Sequence, residues 1–277
     1  MIDCNTNPTI HKHTFMPFDT IICERDTEGL LVVTLNRPDL RNAINTRLGE
    51  ELRAVFGPLR FTPGDLRCVV ITGSGEKAFC SGGDLKERNG MSDAAWRLQH
   101  AIFEEAFYAI MDCPVPVIAA VNGVAYAGGC ELALACDFIY ASTLAKFALT
   151  EASLGIIPGC GGTQNLPRAV GSRRAKELIM TAQPFTAQQA HEWGMVNMLC
   201  EPAELMQRVR AVAARICANA PLSVSQAKKS IDHGMQADLK TGLAFEVSAY
   251  QRVASSQDRL EGVLAFNEKR AARFQGN

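Results

Sequence analysis

Two glutamates stand in stretches that otherwise hold no charge. Glu131 follows Ala127-Gly128-Gly129 at the head of the apolar segment Cys130 to Cys136, and Glu151 lies in Ala148-Leu-Thr-Glu-Ala-Ser-Leu-Gly-Ile-Ile157, ahead of Pro158-Gly-Cys-Gly-Gly162. A carboxyl group among apolar neighbours has a tuned proton affinity and suits acid-base chemistry. In the first turn of a helix the same group can instead reach back to free backbone N–H groups as a cap, and for Glu131 spacing alone favours the cap. The plain alternative for Glu151 is likewise a partner for a helix or turn start. Gly128 and Gly129 open a helix just after a strand, where free N–H groups and the positive helix end favour an oxygen anion. Close packing or an unusual φ explains the same glycine pair, and taken alone is the commoner reason.

The other turn-rich places match no nucleotide or nucleophile motif. Gly73-Ser-Gly75 is followed by Glu-Lys-Ala, so G-x-G-x-x-G is absent, and no P-loop occurs. Phe79-Cys-Ser-Gly-Gly83 fails G-x-S-x-G. His11-x-His13 lacks a third metal ligand nearby.

The elements that must position these residues follow from hydrophobic pattern. Leu30 to Leu35, Cys68 to Thr72 and Val115 to Val121 are short, β-branched-rich runs and read as buried strands. Between them the spacing predicts helices over Asn45 to Leu59, with Leu48, Leu52, Val55 and Phe56 inward, and over Ser92 to Met111, with Trp96, Ile102, Phe103, Phe107 and Ile110 inward. Strands alternating with helices imply right-handed βαβ units. After Glu201 the pattern is helical alone: Pro202 to Asn219, Pro221 to Met235, Leu239 to Ala254 and Gln257 to Phe274. This divides the chain into an N-terminal tail (1–18), an α/β core (19–200) and a C-terminal helical region (201–277) that must pack on its own core or on another subunit.

Composition narrows the classes. The 277 residues carry 28 Lys+Arg against 29 Asp+Glu, a net charge of -1, so there is no global positive field for a polyanion. Ten cysteines lie scattered without a C-x-x-C, which argues against zinc and redox motifs and for free thiols in the cytoplasm. The N-terminus has neither a signal-peptide core nor transit-peptide character. Val115 to Cys136 is long enough for a membrane span, but Pro116, Asn122, Gly123, Gly128, Gly129 and Glu131 mark it as strand, turn and helix.

Three segments carry a resemblance: Phe79-Cys-Ser-Gly-Gly-Asp-Leu-Lys86, Ala127-Gly-Gly-Cys-Glu-Leu-Ala-Leu134 with Cys136-Asp137, and Glu151 with Leu154-Gly-Ile-Ile-Pro-Gly-Cys-Gly-Gly-Thr-Gln164. Together with Asn36-Arg-Pro38, Asn42-Ala43 and Ala265-Phe-Asn-Glu-Lys-Arg270, they resemble the crotonase (enoyl-CoA hydratase/isomerase) family from about residue 19 to 274. The stretch Asp84-Leu-Lys-Glu-Arg88 with Met91 looks particularly like methylglutaconyl-CoA hydratases. Departures are Ala127 where a third glycine is usual, Cys160 for Ala or Gly, and Asn165 for Arg.

The resemblance implies an α/β spiral of βαβ units whose C-terminal helices build a homotrimer or a hexamer of paired trimers. It implies an acyl-CoA thioester as substrate, with the thioester oxygen held by the backbone N–H groups of Gly83 and Gly128. Glu131 would deprotonate the water attacking C3 and Glu151 would protonate C2, which is enoyl-CoA hydration. Coenzyme A would lie along Arg41, Ala43 and the loop Gly83, Asp84, Leu85, Lys86, with Phe266 and Lys269 reaching its nucleotide end. No metal and no cofactor beyond the substrate's own coenzyme A is implied, and neither a nucleic acid nor a membrane is a partner. The alternatives within the family are an enoyl-CoA isomerase and the branched methylglutaconyl-CoA hydratase. RNA binding through Asn45 to Leu59 is disfavoured because Glu50 and Glu51 offset Arg47 and Arg53.

Overall fold

Long apolar strands buried on both faces form the centre of this protein, seen here in a computed structural model that describes residues 13–14 and 18–277. The expected tail, with His11, falls almost entirely outside the described residues. The strands are β1 (His13–Thr14), β2 (Ile21–Arg25), β3 (Leu30–Leu35), β4 (Cys68–Gly73), β5 (Ala78–Cys80), β6 (Val117–Val121), β7 (Val124–Tyr126), β8 (Phe138–Ser142), β9 (Lys146–Ala148), β10 (Phe185–Thr186) and β11 (Met198–Cys200). The helices are α1 (Thr46–Leu59), α2 (Leu85–Arg88), α3 (Asp93–Met111), α4 (Gly128–Ala135), α5 (Gly162–Val170), α6 (Ser172–Thr181), α7 (Ala187–Glu192), α8 (Leu205–Ala218), α9 (Pro221–Gly234), α10 (Leu239–Ala254) and α11 (Gln257–Glu268).

A seven-stranded sheet runs β1-β2-β3-β4-β6-β8-β11, parallel from β3 onward, and a four-stranded sheet runs β10-β9-β7-β5. The chain alternates between them. β4, β6 and β8 lie in the larger sheet, and each is followed by a short parallel partner in the smaller one, β5, β7 and β9. A helical segment then returns the chain to the next long strand, so the fold advances as a spiral of repeated turns.

Strand period sorts the core into two. Leu31, Val33, Leu35, Val69, Ile71, Val117 and Ala119 join the main core, whereas Leu30, Val32, Cys68, Val70, Ile118 and Ala120 face Leu205, Val209, Ala213 and Cys217 of α8. Both faces are covered, which is why these strands read as continuous apolar runs. Side-chain caps set the helix starts: Asn45 accepts from Leu48 N, and Ser92 from Ala95 N. On α1, Arg47 pairs with Asp19 and Glu51, and Arg53 with Glu105, so its two arginines are neutralised.

Two expected boundaries shift. The apolar helix begins at Gly128 rather than Cys130, so both glycines belong to its first turn. The last helix ends at Glu268 rather than running to Phe274, because Lys269 adopts φ 55° and its N–H closes the helix on Ala265 and Phe266 carbonyls. Residues 271–277 fold back instead: Arg67 donates to the Phe274 carbonyl at 2.7 Å, and Asp258 accepts from Gln275 N and Gly276 N at 2.6 and 2.8 Å. Within the basic run of the C-terminus, Arg270 pairs with Glu261 and Glu268. All nine described cysteines are buried free thiols. Among the described residues no helix is long and apolar enough to cross a membrane.

The tightest joint lies between α4 and β5. A Cβ placed on Gly129 would come within 2.0 Å of the Cys80 carbonyl oxygen, a backbone atom that cannot swing away. Gly129→Ala therefore forces the helix off the strand. It should cost about 3 kcal/mol and lower the melting temperature by about 6–12 °C in a thermal scan. An unchanged melting temperature would show that the joint yields without cost.

Candidate active site

Ile44 bridges Gly83 in parallel register, and this pairing sets the loop between β5 and α2. Its neighbours are spoken for: Ser81 N donates to the Arg41 carbonyl, and Asp84 N to the Ile44 carbonyl. The Gly83 N–H itself has no acceptor among the described residues. At the start of α4, Cys130 N and Glu131 N both donate to the Ala127 carbonyl, while Gly128 N has no acceptor there either. The two free amides are near each other, since a Cβ on Gly128 would lie 3.8 Å from Gly83 N. Ala127 makes the turn into α4 at φ 48° and ψ −124°, a conformation that an L side chain occupies under strain.

These amides open onto a cavity of about 710 Å³, also lined by Glu131 and Glu151. Trp96, Phe103 and Phe107 of α3 line it too, with Ile156 and Ile157 from the segment after Glu151. The site is therefore an apolar chamber with a few convergent polar groups, the usual form of a small-molecule site.

The two carboxyl groups differ in their surroundings. Glu131, 3% exposed, does not cap its own helix. Its Oε1 accepts from Cys160 N and Gly162 N, both at 2.8 Å, and so caps α5, which starts 31 residues further along the chain. Burial raises its proton affinity, and the backbone amides of Gly162, Cys160 and Gly159 hold part of that rise back. Glu151, 5% exposed in the 3-10 turn Glu151–Leu154, has no hydrogen-bond partner on either oxygen. It partners no helix start. Burial, with the Glu131 charge adding to it, pushes its pKa up to about 7.

Thus Gly83, Gly128, Glu131, Glu151 and Leu85 share one cavity, whereas Arg41, Ala43, Asp84, Lys86, Phe266 and Lys269 do not line it. Arg41 and Ala43 support the Gly83 loop through their carbonyls, which accept from Ser81 N and from Arg37 Nη1. Asp84 is committed to structure, capping α2 through Lys86 N and Glu87 N and pairing with Arg37 at 2.9 Å. Phe266 is 83% exposed on α11. Arg88, a charged residue of the cavity, was not assigned to it from sequence, whereas His100 lies in the segment Gly90 to Met111 expected to line the acyl pocket. Arg88 closes the short helix α2 that begins two residues after Gly83, and that proximity in sequence was the available signal. No group of three or more metal-ligating side chains gathers among the described residues.

A family profile described as enoyl-CoA hydratase/isomerase matches residues 25–277. A short-chain-enoyl-CoA hydratase of Clostridium acetobutylicum is 41% identical over 92% of this chain and 97% of its own. A crotonyl-CoA hydratase of Syntrophomonas wolfei is 40% identical over 94% of this chain and 99% of its own. The crystal structure of an enoyl-CoA hydratase from Bacillus anthracis superposes with a TM-score of 0.91 at 42% identity, covering 94% of this chain and 100% of that one.

The raised pKa of Glu151 makes stability depend on pH with a definite sign. The folded state holds the proton more tightly than the unfolded chain, whose glutamate titrates near 4.5. The contribution is therefore complete below about pH 4.5 and is lost as the pH rises through about 7. Glu151→Gln, neutral throughout, should match the wild type in melting temperature at pH 4 and exceed it at pH 8. Equal values at both pH values would show that Glu151 ionises as freely as an exposed carboxyl group.

Proposed function

Since the chain belongs to the enoyl-CoA hydratase/isomerase family, we propose that it is an enoyl-CoA hydratase, adding water syn across the 2,3 double bond of a short- or medium-chain 2-enoyl-CoA. The observation that carries this reading is the pair of buried carboxyl groups beside two unoccupied amides in one apolar cavity. An isomerase needs only one proton shuttle between C2 and C4. Here both carboxyl groups are present, and their environments differ in the way that two distinct proton roles require.

In this reading the thioester oxygen lies between Gly83 N–H and Gly128 N–H. Attack of water on C3 moves the double-bond electrons through C2 onto that oxygen, where the amides and the start of α4 meet the new negative charge. Preorganised donors of this kind contribute about 3–4 kcal/mol each. Glu131, fixed through Oε1, takes the water proton on its other oxygen as the C3–O bond forms. Glu151 enters protonated and delivers its proton to C2 as the enolate collapses. Glu131 has then gained one proton and Glu151 has lost one, so a single transfer between them restores the pair. Both groups act from one cavity, which delivers hydroxyl and proton to the same face.

Coenzyme A would extend along Arg41, Ala43 and the loop from Gly83 to Lys86. The exposed Phe266 of α11 and Lys269 just after it suit its nucleotide end, in the same or a neighbouring subunit. No cofactor or metal enters the mechanism, and the buried thiols fit a cytoplasmic setting. The C-terminal helices leave Ile231, Met235, Leu239, Leu243, Val247 and Tyr250 exposed, apolar surface suited to a trimer or to a hexamer of paired trimers.

Substitution by glutamine tests the roles, because an amide keeps hydrogen bonding but not proton transfer. Glu131→Gln and Glu151→Gln should each fold and bind coenzyme A thioesters yet lose at least about 10²-fold in hydration of crotonyl-CoA, the double variant losing less than the product of the two. Normal turnover in either variant would remove that residue from the mechanism. One silent variant, with loss of proton exchange at C2 in the other, would support isomerisation instead. Light scattering at micromolar concentration should give the mass of a trimer or hexamer, and a fully active monomer would contradict the assembly.

A further inference from the structure

The amides that hold Glu131 belong to a segment with few side chains of its own. Gly159, Gly161 and Gly162 surround Cys160, and this bareness lets the N–H groups of Cys160 and Gly162 converge on Glu131 Oε1. Glycines also lose the most conformational freedom when a chain is fixed, so such a segment needs support from elsewhere.

His100 of α3 supplies that support. Its ring fills the space that a side chain at 159 would take. Chain neighbours aside, the three atoms nearest to a Cβ placed on Gly159 are His100 Cε1, Nε2 and Nδ1, at 2.5, 2.8 and 3.6 Å. Gly159 has no positive φ, so the imidazole rather than the backbone accounts for a glycine at this position. The ring is braced in turn from one helical turn along α3, where Glu104 Oε1 lies 3.1 Å from Nε2.

The contact bears directly on the proposed base. The Gly159 amide acts on Glu131 together with those of Cys160 and Gly162, so the residue against which the imidazole packs also carries a donor to the carboxyl group. We propose that His100 is a positioning residue for hydration, holding the amides of the 159–162 segment against Glu131 so that one carboxyl oxygen stays anchored and the other stays aimed at the attacking water. This rests on the proposed hydratase reading and adds to it a residue that acts through Glu131.

Exchange of His100 and Gly159, singly and together, tests the contact. His100→Ala should lower kcat for crotonyl-CoA at least about fivefold and change KM less than about twofold, because the aim of the base matters in the transition state and not in binding. Gly159→Ala, driven into the ring, should lose at least about tenfold, yet adding it to His100→Ala should cost less than about twofold more. His100→Gln, whose amide reaches the place of Nε2, should keep part of the rate.

A merely structural role would leave the proton affinity of Glu131 unmoved, and this is followed by carbon NMR of its carboxyl group, assigned by comparison with Glu131→Gln. Looser amides hold back less of the rise that burial causes, so in His100→Ala the group should titrate at least about half a unit higher than in the wild type. Gly159→Ala keeps the charges of His100 and Glu104 and should shift it in the same direction, which separates lost contact from lost imidazole charge. Of the other ionisable groups around Glu131, Glu151 and Arg88 line the cavity in every variant, and burial keeps the Cys130 and Cys160 thiols neutral. An unmoved titration in either variant, or full additivity of the two substitutions, would overturn the proposal. So would a change confined to KM, the mark of a ring that only touches the acyl chain. Should Gly159→Ala fail to fold by circular dichroism, His100→Ala and His100→Gln decide it. Failure of the hydratase reading looks different: the Glu131 titration would still respond to both variants while the wild type hydrates no enoyl-CoA.

Discussion

The closeness of α4 to β5 is the constraint on which the site depends. Only a glycine at 129 allows the first turn of α4 to lie against the Cys80 carbonyl, and this contact brings Gly128 N beside Gly83 N. A helix set even one methyl group further out would separate the two amides and carry Glu131 with it. The strained turn at Ala127 is a consequence of the same demand, because the chain must reverse from β7 into α4 within a single residue. A close-packing reason and a chemical reason for the glycine pair therefore do not compete. Gly129 serves the first, and the proposed chemistry asks the second of Gly128.

Glu131 transmits that placement to the other wall. Through one oxygen it caps α5, so the segment carrying Cys160 and Gly162 is held by the residue that also faces the cavity. A cap of this kind orients the carboxyl group and keeps one oxygen available for chemistry. Glu151 is held by no such bond. Its position comes from the turn Glu151–Leu154 and from apolar packing, and burial, with the Glu131 charge nearby, raises its proton affinity. Burial raises the proton affinity of both glutamates, and only at Glu131 do neighbouring backbone amides of the α5 segment hold part of that rise back, a difference that suits the two proton roles proposed for them.

Legibility from sequence followed the range of the interactions. Hydrophobic period is local, so β3, β4, β6, α1 and α3 were readable to within a residue or two, the predicted helix starts at Asn45 and Ser92 falling on the residues that cap α1 and α3. The strands β5, β7 and β9 span three residues each and carry no period of their own, so the second sheet was invisible without the fold. The partner of Glu131 lies some 30 residues along the chain, and no local rule distinguishes capping its own helix from capping another. The C-terminal end of α11 was misplaced for the same reason: apolar spacing continues to Phe274, but the αL turn at Lys269 and the long-range hold of Arg67 and Asp258 on the tail override it.

Charge in the cavity follows a further rule. An apolar chamber tolerates an ionised group only where it is paired or where a ligand completes it. Glu131 is compensated by two backbone donors, and Glu151 by keeping its proton near neutrality. Arg88 has neither remedy, since guanidinium cannot shed its charge and its outer nitrogens face no acid among the described residues. Its aromatic bed and the hydrogen bond at Nε fix the group's direction without neutralising it. A protein that needed this arginine only for packing could have buried its aliphatic stem and left the head in water. Holding the head over Trp96 keeps the charge on an aromatic face rather than against hydrocarbon.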